Sequence, residues 1–184
     1  MLEPLARIPP AFSSTSWMNP LPPATRLLFF ADRAARAAAA GAFPMPVTEE
    51  ACRAHADGAR ACLWLGPDEY LLLAPAEPGA ARVQAALTAA VGPLPHALVD
   101  ISHRQVAFEI HGPLAAQILN GACALDLDPA GFPVGMCTRT ALAKADVVLW
   151  RTEVHRFHVE VWRSFSPYVT ALLTEIAGAL PAAH

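Results

Sequence analysis

The chain has 184 residues, 54% hydrophobic and 16% charged, with 13 basic against 16 acidic side chains and a net charge of −3. A chain of roughly 150 residues already buries about 70% of its unfolded surface, so one domain with one core is the default, and the absence of basic runs disfavours nucleic acid or an anionic membrane as partner. Against roughly 45–50% apolar and about 25% charged residues in ordinary soluble domains, the surplus has two accounts: alanine enrichment, or apolar surface held against another protein, which is the one preferred.

The chain opens Met1-Leu2-Glu3-Pro4, with an acid where a secretory signal needs a base and prolines where it needs an apolar run. Residues 1–24 carry Pro4, Pro9, Pro10, Pro20, Pro22 and Pro23 among Ser and Thr, a composition for neither helix nor interior strand. They read as an extended arm, disordered or laid along a partner. Leu5, Ile8, Phe12, Trp17 and Met18 favour docking. A single domain is expected over 25–184.

Strand Arg26–Phe30 comes first, then an Asp32 cap and the Ala-rich helix Arg33–Ala40 stopped at Gly41. Asp32, Arg33 and Arg36 cut the Leu27–Ala42 stretch too short of the ~18 apolar residues of a membrane span. After a looser segment, strands Arg60–Leu65 and Tyr70–Ala74 flank the turn Gly66-Pro67-Asp68-Glu69, a hairpin whose Leu71-Leu72-Leu73 run belongs to a central strand. Val83, Ala86, Leu87 and Ala90 form one stripe of a helix over 79–91.

Val99 and Ile101 alternate in one parity and Val106, Phe108 and Ile110 in the other, which places a turn or bulge between His103 and Gln105. Gly112-Pro113 predicts a helix with proline at its first position and Leu114, Ile118 and Leu119 on its apolar face. A Gly/Pro loop at 131–135 precedes strands Met136–Ala143, Asp146–Arg151 and His155–Trp162, and a final helix capped by Ser166 before Pro167 carries Val169, Leu172, Leu173, Ile176 and Leu180. The order is β-α-β-β-α-β followed by β-α-β-β-β-α. That is an α+β fold of two tandem ferredoxin-like (split βαβ) units, antiparallel sheets flanked by helices.

No constellation carries chemistry convincingly. Cys52-x-x-His55 with Cys62 lacks a fourth zinc ligand at a sensible spacing, His155 and His158 fall on opposite faces of a strand, and the four cysteines read as buried cytosolic thiols. Asp100-Ile101-Ser102-His103 holds the letters of a triad, but neighbouring strand residues point opposite ways. Asp126 and Asp128, or Asp68 and Glu69, suit solvated turns, the glycines make no phosphate loop, and Trp64, Trp150 and Trp162 suit sheet core or an interface.

Val99-Asp100-Ile101-Ser102-His103-Arg104, continued by Val106-x-Phe108-x-Ile110-x-Gly112-Pro113-x-Ala115-x-x-Ile118-Leu119, resembles the folate-binding fold of the glycine-cleavage aminomethyltransferase. Leu63 to Leu73, Cys137-Thr138-Arg139-Thr140 with Val147 to Arg151, and Val161-Trp162-Arg163-Ser164-Phe165 narrow the resemblance to the gamma subunits of heterotetrameric sarcosine oxidase, over residues 25 to 178. The resemblance implies a cytoplasmic subunit beside alpha, beta and delta chains that hold FAD, FMN, NAD, zinc and tetrahydrofolate, with no cofactor on this chain. The complex would demethylate sarcosine oxidatively to glycine, giving hydrogen peroxide and formaldehyde or methylene-tetrahydrofolate. Catalytic relatives carry a Gly-Gly turn and paired acids where this chain has Ala143-Lys144-Ala145-Asp146, and the sequence stops after one such domain, so a non-catalytic role is expected. Trp17, His103, Arg104, Arg139, Trp162, Arg163 and Phe165 are the partner-interface candidates, and Asp100, Ser102 and Arg139 the weaker candidates for a surviving folate pocket.

Overall fold

A computed structural model describes residues 16–44 and 50–180. The elements are β1 (Met18–Pro20), β2 (Ala24–Ala31), α1 (Arg33–Ala39), β3 (Ala54–Asp57), β4 (Arg60–Gly66), β5 (Glu69–Pro75), α2 (Ala80–Val91), β6 (His96–Asp100), β7 (Gln105–His111), α3 (Ala115–Asn120), β8 (Cys137–Leu142), β9 (Ala145–Glu153), β10 (Arg156–Trp162) and α4 (Ser166–Ala179). Two antiparallel five-stranded sheets result, in the orders β3-β4-β5-β2-β6 and β1-β7-β10-β9-β8.

Leu27, Phe29 and Leu72 on one face of the first sheet pack under α1 and α2 with Ala35, Leu87 and Val91. The second sheet turns Phe108, Leu149 and Val159 to α3 and α4, where Ile118, Leu119, Val169 and Leu173 meet them. The remaining faces meet each other through Leu63, Leu71, Leu73, Cys137 and Val148. The layers therefore run helix, sheet, sheet, helix, as the two-sided apolar Leu71–Leu73 run required of a central strand.

Local chemistry explains most boundaries. Asp32 Oδ1 accepts from the Ala35 amide at 2.8 Å and starts α1. The β4–β5 hairpin closes at Gly66 opposite Glu69, with Asp68 in the left-handed region that aspartate tolerates (φ +58). The parity change after Ile101 is a turn, in which the Arg104 and Gln105 amides donate to the Ile101 carbonyl at 3.0 and 3.2 Å.

Four expectations are corrected. The second half is not a split βαβ unit. In the first half α2 carries the chain across the sheet, so β2 lies between β5 and β6; in the second, β9 runs into β10 by a tight turn and α4 comes only afterwards, so the strands stay in meander order and β10 reaches β7. The arm is not wholly separate, for Met18–Pro20 pairs with Phe108–Ile110 of the chain's own β7; Leu5, Ile8 and Phe12 lie outside the described residues. The helix after Pro113 begins at Ala115, because Gly112 (φ +105) forms a turn of its own. Ser166 is the first residue of α4 rather than its cap, and its hydroxyl donates back to the Arg163 carbonyl at 2.9 Å. The sequence also concealed β3, a four-residue edge strand, Ala-His-Ala-Asp, without a strongly apolar side chain.

Candidate partner-binding site

The turn between β6 and β7 is an Asx-type turn: Asp100 Oδ1 accepts from the Ser102 amide at 2.9 Å and from its hydroxyl at 2.5 Å, while Ser102 Oγ accepts from the Arg26 amide at 2.9 Å. His103 and Arg104 are thereby pushed to the surface. Beside them β10 ends at Trp162 and turns into α4, the Phe165 amide donating to the Trp162 carbonyl at 2.8 Å. The two turns are stitched together. The Arg163 amide donates to the Arg104 carbonyl at 2.9 Å, Arg163 Nε to the His103 carbonyl at 3.2 Å, and the Arg104 guanidinium lies 5.0 Å from the centre of the Trp162 ring.

His103, Arg104, Trp162, Arg163 and Phe165, from segments some sixty residues apart in sequence, thus form one exposed patch with Trp162 42% and Phe165 39% exposed. Tyr168, one turn into α4, extends it. Among the described residues no carboxylate lies within ion-pair distance of Arg104 or Arg163. Arg139, on β8, is committed within the chain: Nη2 and Nη1 hold Glu69 at 2.7 and 3.3 Å and tie the two sheets together. Trp17 lies at the other end of β7, roughly 20 Å away, half-buried against the chain's own core and accepting from the His111 amide.

Beneath the patch a cavity of about 150 Å³ opens between the sheets, lined by Leu28, Ile101, Arg104, Gln105, Arg139 and Trp162 among others. Asp100 and Ser102 do not line it; they are spent on the turn, so the three folate-pocket candidates do not meet in one cavity. A larger cavity of about 510 Å³ lies at the other side of the sheet interface, walled by the 21–24 connector, the β3–β4 turn and Trp150. Its floor holds Arg26 and Glu160, buried and 2.6 Å apart, with His158 Nε2 donating to the other carboxylate oxygen at 2.8 Å. Burial raises the Glu160 pKa, but the hydrogen bond and charge of His158, with those of Arg26, outweigh it and leave the carboxyl below its usual range.

His158 is therefore a partner of a buried acid rather than a surface histidine, and His155 sits in the β9–β10 turn outside either strand. Asp126 and Asp128 accept from the Asp128 and Ala130 amides at 2.9 Å, as turn formers do. Among the described residues no group of three or more His, Cys, Asp or Glu side chains is placed to hold a metal ion; His55 and Cys62 face each other across β3 and β4 without gathering further ligands. Sequence reasoning missed the Arg26–Glu160 pair and Arg151, which donates to the Phe132 and Leu127 carbonyls at 2.5 and 3.0 Å. For two of the charges the signal was available, since Arg26 shares its parity with Leu28 and Phe30, and Arg151 with Val147 and Leu149, whereas Glu160 alternates with the apolar residues of its strand, in step with Arg156 and His158, and gave none.

The two helix-backed sheets define a protein of the aminomethyltransferase fold. They superpose on the glycine cleavage system aminomethyltransferase T from Bartonella henselae with a TM-score of 0.64 at 13% identity, over 85% of this chain and 44% of that one. Within that class the chain belongs to the sarcosine oxidase gamma subunit family, whose model matches residues 30–179. It is similar to the sarcosine oxidase gamma subunits of Corynebacterium sp. (strain P-1), 36% identical over 62% of this chain and 55% of the relative, and of Arthrobacter sp., 41% identical over 70% and 61%. These matches span less than two thirds of the relatives' length. A chain of the heterotetrameric sarcosine oxidase from Corynebacterium sp. U-96, solved in complex with pyrrole 2-carboxylate, has a TM-score of 0.81 and 29% identity over 91% of this chain and 86% of its own.

Proposed function

We propose that the chain is the non-catalytic gamma subunit of a heterotetrameric sarcosine oxidase, packed against alpha, beta and delta chains in the cytoplasm. On this reading FAD, FMN, NAD, zinc and tetrahydrofolate are held by the other subunits, and the assembly converts sarcosine to glycine with hydrogen peroxide and formaldehyde or methylene-tetrahydrofolate. The observation that carries the reading is the Arg104–Trp162–Arg163–Phe165 patch: two unneutralised guanidiniums around exposed aromatics are the residue types enriched in protein interfaces. Supporting it, the acids that could serve as catalysts are occupied in turns or in a buried ion pair.

The role is bracing. Co-expression of the four chains, with and without this one, followed by size exclusion and sarcosine turnover, tests it. The expected result is loss of the intact heterotetramer and of turnover when this chain is omitted; full assembly and full turnover without it would overturn the proposal.

A further inference from the structure

The outermost strand of a sheet shows a row of backbone N–H and C=O groups to whatever lies beyond it, and the four sheet edges differ in how that row is covered. β1 is three residues long and ends in Pro20, and β3 is four residues long. On β8 the Cys137 amide donates to the Cys52 carbonyl at 2.9 Å, and just past the strand the Ala143 amide donates to the Ala122 carbonyl at 2.8 Å. β6 has none of these protections. It is the five residues His96-Ala97-Leu98-Val99-Asp100, with no lysine, proline or bulge among them.

The pairing with β2 fixes which of its groups are open. The Ile101 amide donates to the Arg26 carbonyl at 2.9 Å, and opposed residues of an antiparallel pair alternate between bonded and unbonded, so Val99 and Ala97 turn their N–H and C=O groups to Leu28 and Phe30. Those of His96, Leu98 and Asp100 point away from β2, and among the described residues no other group meets them. Apolar side chains accompany this open row. Val99 is 46% and Phe30 40% exposed on the inward face, and Leu28 and Ile101 carry the strip on to the cavity under Trp162.

Free donors and acceptors at every second residue match the ladder of another extended chain. Two observations decide whose chain it is. Two copies of β6 laid together would join five residues a side, far below the roughly 20–30 residues a side of a stable interface. The strand also runs directly through the Asp100–Ser102 turn into His103 and Arg104, so a chain that covers the partner-binding patch lies beside the open edge.

We propose that β6 receives an extended segment of a larger partner subunit as a sixth strand of the first sheet. The segment bonds to the open groups of His96, Leu98 and Asp100 and sets alternate apolar side chains against Val99 and Phe30. Resting on the subunit reading above, this adds the form of the contact.

Amide hydrogen exchange on the full chain, alone and joined to the other three subunits, tests the sixth strand when read residue by residue through fragmentation in a mass spectrometer. In the free chain Ala97 and Val99 exchange slowly while Leu98 and Asp100 exchange fast; in the complex Leu98 and Asp100 are expected to slow at least roughly tenfold. Leu98→Pro removes an outward N–H and leaves the β2 ladder whole, whereas Leu98→Ala trims the same side chain and keeps the N–H. The proline variant is expected to bind the other subunits at least roughly tenfold more weakly than the alanine variant, with melting temperatures a few degrees apart. Val99→Lys, at a position already exposed, weakens binding at an unchanged melting temperature. Leu98 and Asp100 amides that stay fast in the complex overturn the proposal, as does a Leu98→Pro chain that binds as Leu98→Ala does. Protection of those amides that grows with the concentration of the free chain puts a second copy on the edge and overturns it too. A wild-type chain that fails to join the other subunits removes the subunit reading itself, and the sixth strand with it.

Discussion

Glu160→Leu is the perturbation that most directly tests how the two sheets are held. Glu160 is fully buried on β10 and Arg26 is 2% exposed on β2, so the 2.6 Å contact between them joins the sheets across the interior. Removing the acid leaves a buried guanidinium whose only partner among the described residues is the Ala24 carbonyl, at 3.2 Å. Breaking one side of such a pair costs about 3–5 kcal/mol, whereas exchanging both sides for apolar groups of similar volume is close to neutral. At roughly 2–4 °C per kcal/mol for a chain of this size, the single variant melts about 6–20 °C below wild type, and Arg26→Met combined with Glu160→Leu regains most of the loss.

The pH dependence has a definite sign. The folded-state pKa of Glu160 lies below its unfolded value, so its ionisation stabilises the fold fully above the unfolded carboxylate range, near about 4.3, and this contribution disappears as pH falls through the folded value. The difference between wild type and Glu160→Leu, measured by urea unfolding at a series of pH values, is therefore largest near neutrality and shrinks in acid. A single variant within about 1 kcal/mol of wild type at pH 7, or a double variant no better than the single, would refute the reasoning.

Three further outcomes follow from contacts elsewhere. Arg151→Met strips the Phe132 and Leu127 carbonyls of their donor and should lower stability by about 2–4 kcal/mol, with faster hydrogen exchange concentrated in residues 121–136. Gly121→Ala would place its Cβ 2.6 Å from Ile176 Cγ2 where α3 meets α4; about 1–3 kcal/mol is expected to be lost, and Ile176→Ala in the same chain should recover part of it by calorimetry. Burial pushes the Cys137 thiol up to about 12 and raises Cys62 as well, and Cys123 is also buried, so iodoacetamide at pH 8 should alkylate Cys52 ahead of the other three, read by peptide mass mapping before and after denaturation.

What could be read in advance was what local chemistry decides. The Asp32 cap, the 66–69 turn and the parity change after Ile101 each depend on a few adjacent residues, and each appears where the spacing put it. The order of strands in the second sheet depends instead on whether a connection is a turn or a crossover, which side-chain pattern does not encode. β1 and β3 escaped because three or four residues next to prolines or alanines give no periodicity. The candidate site was half legible. Trp162, Arg163 and Phe165 attract notice as aromatics and charges following a strand, but that His103 and Arg104 stand beside them is a product of the β7–β10 register, Gln105 opposite Trp162. Gln105 itself gave no signal at all, since a lone amide at the head of a strand is ordinary until its neighbours are known.

The three-residue strand β1 makes the order of synthesis matter. Met18 pairs with Ile110, so the amino-terminal strand must wait for more than ninety further residues to be translated before it has anywhere to dock. In that interval the first sheet needs nothing beyond Asp100 to complete its hydrogen-bond ladders, whereas the second needs β7 and then β10. Emergence from the ribosome should therefore proceed as a finished first sheet carrying a loose leader, with closure deferred until Trp162 is out. During that delay the uncovered inner face of the first sheet, Leu63, Leu71 and Leu73, is the surface a chaperone or an arriving partner subunit would meet.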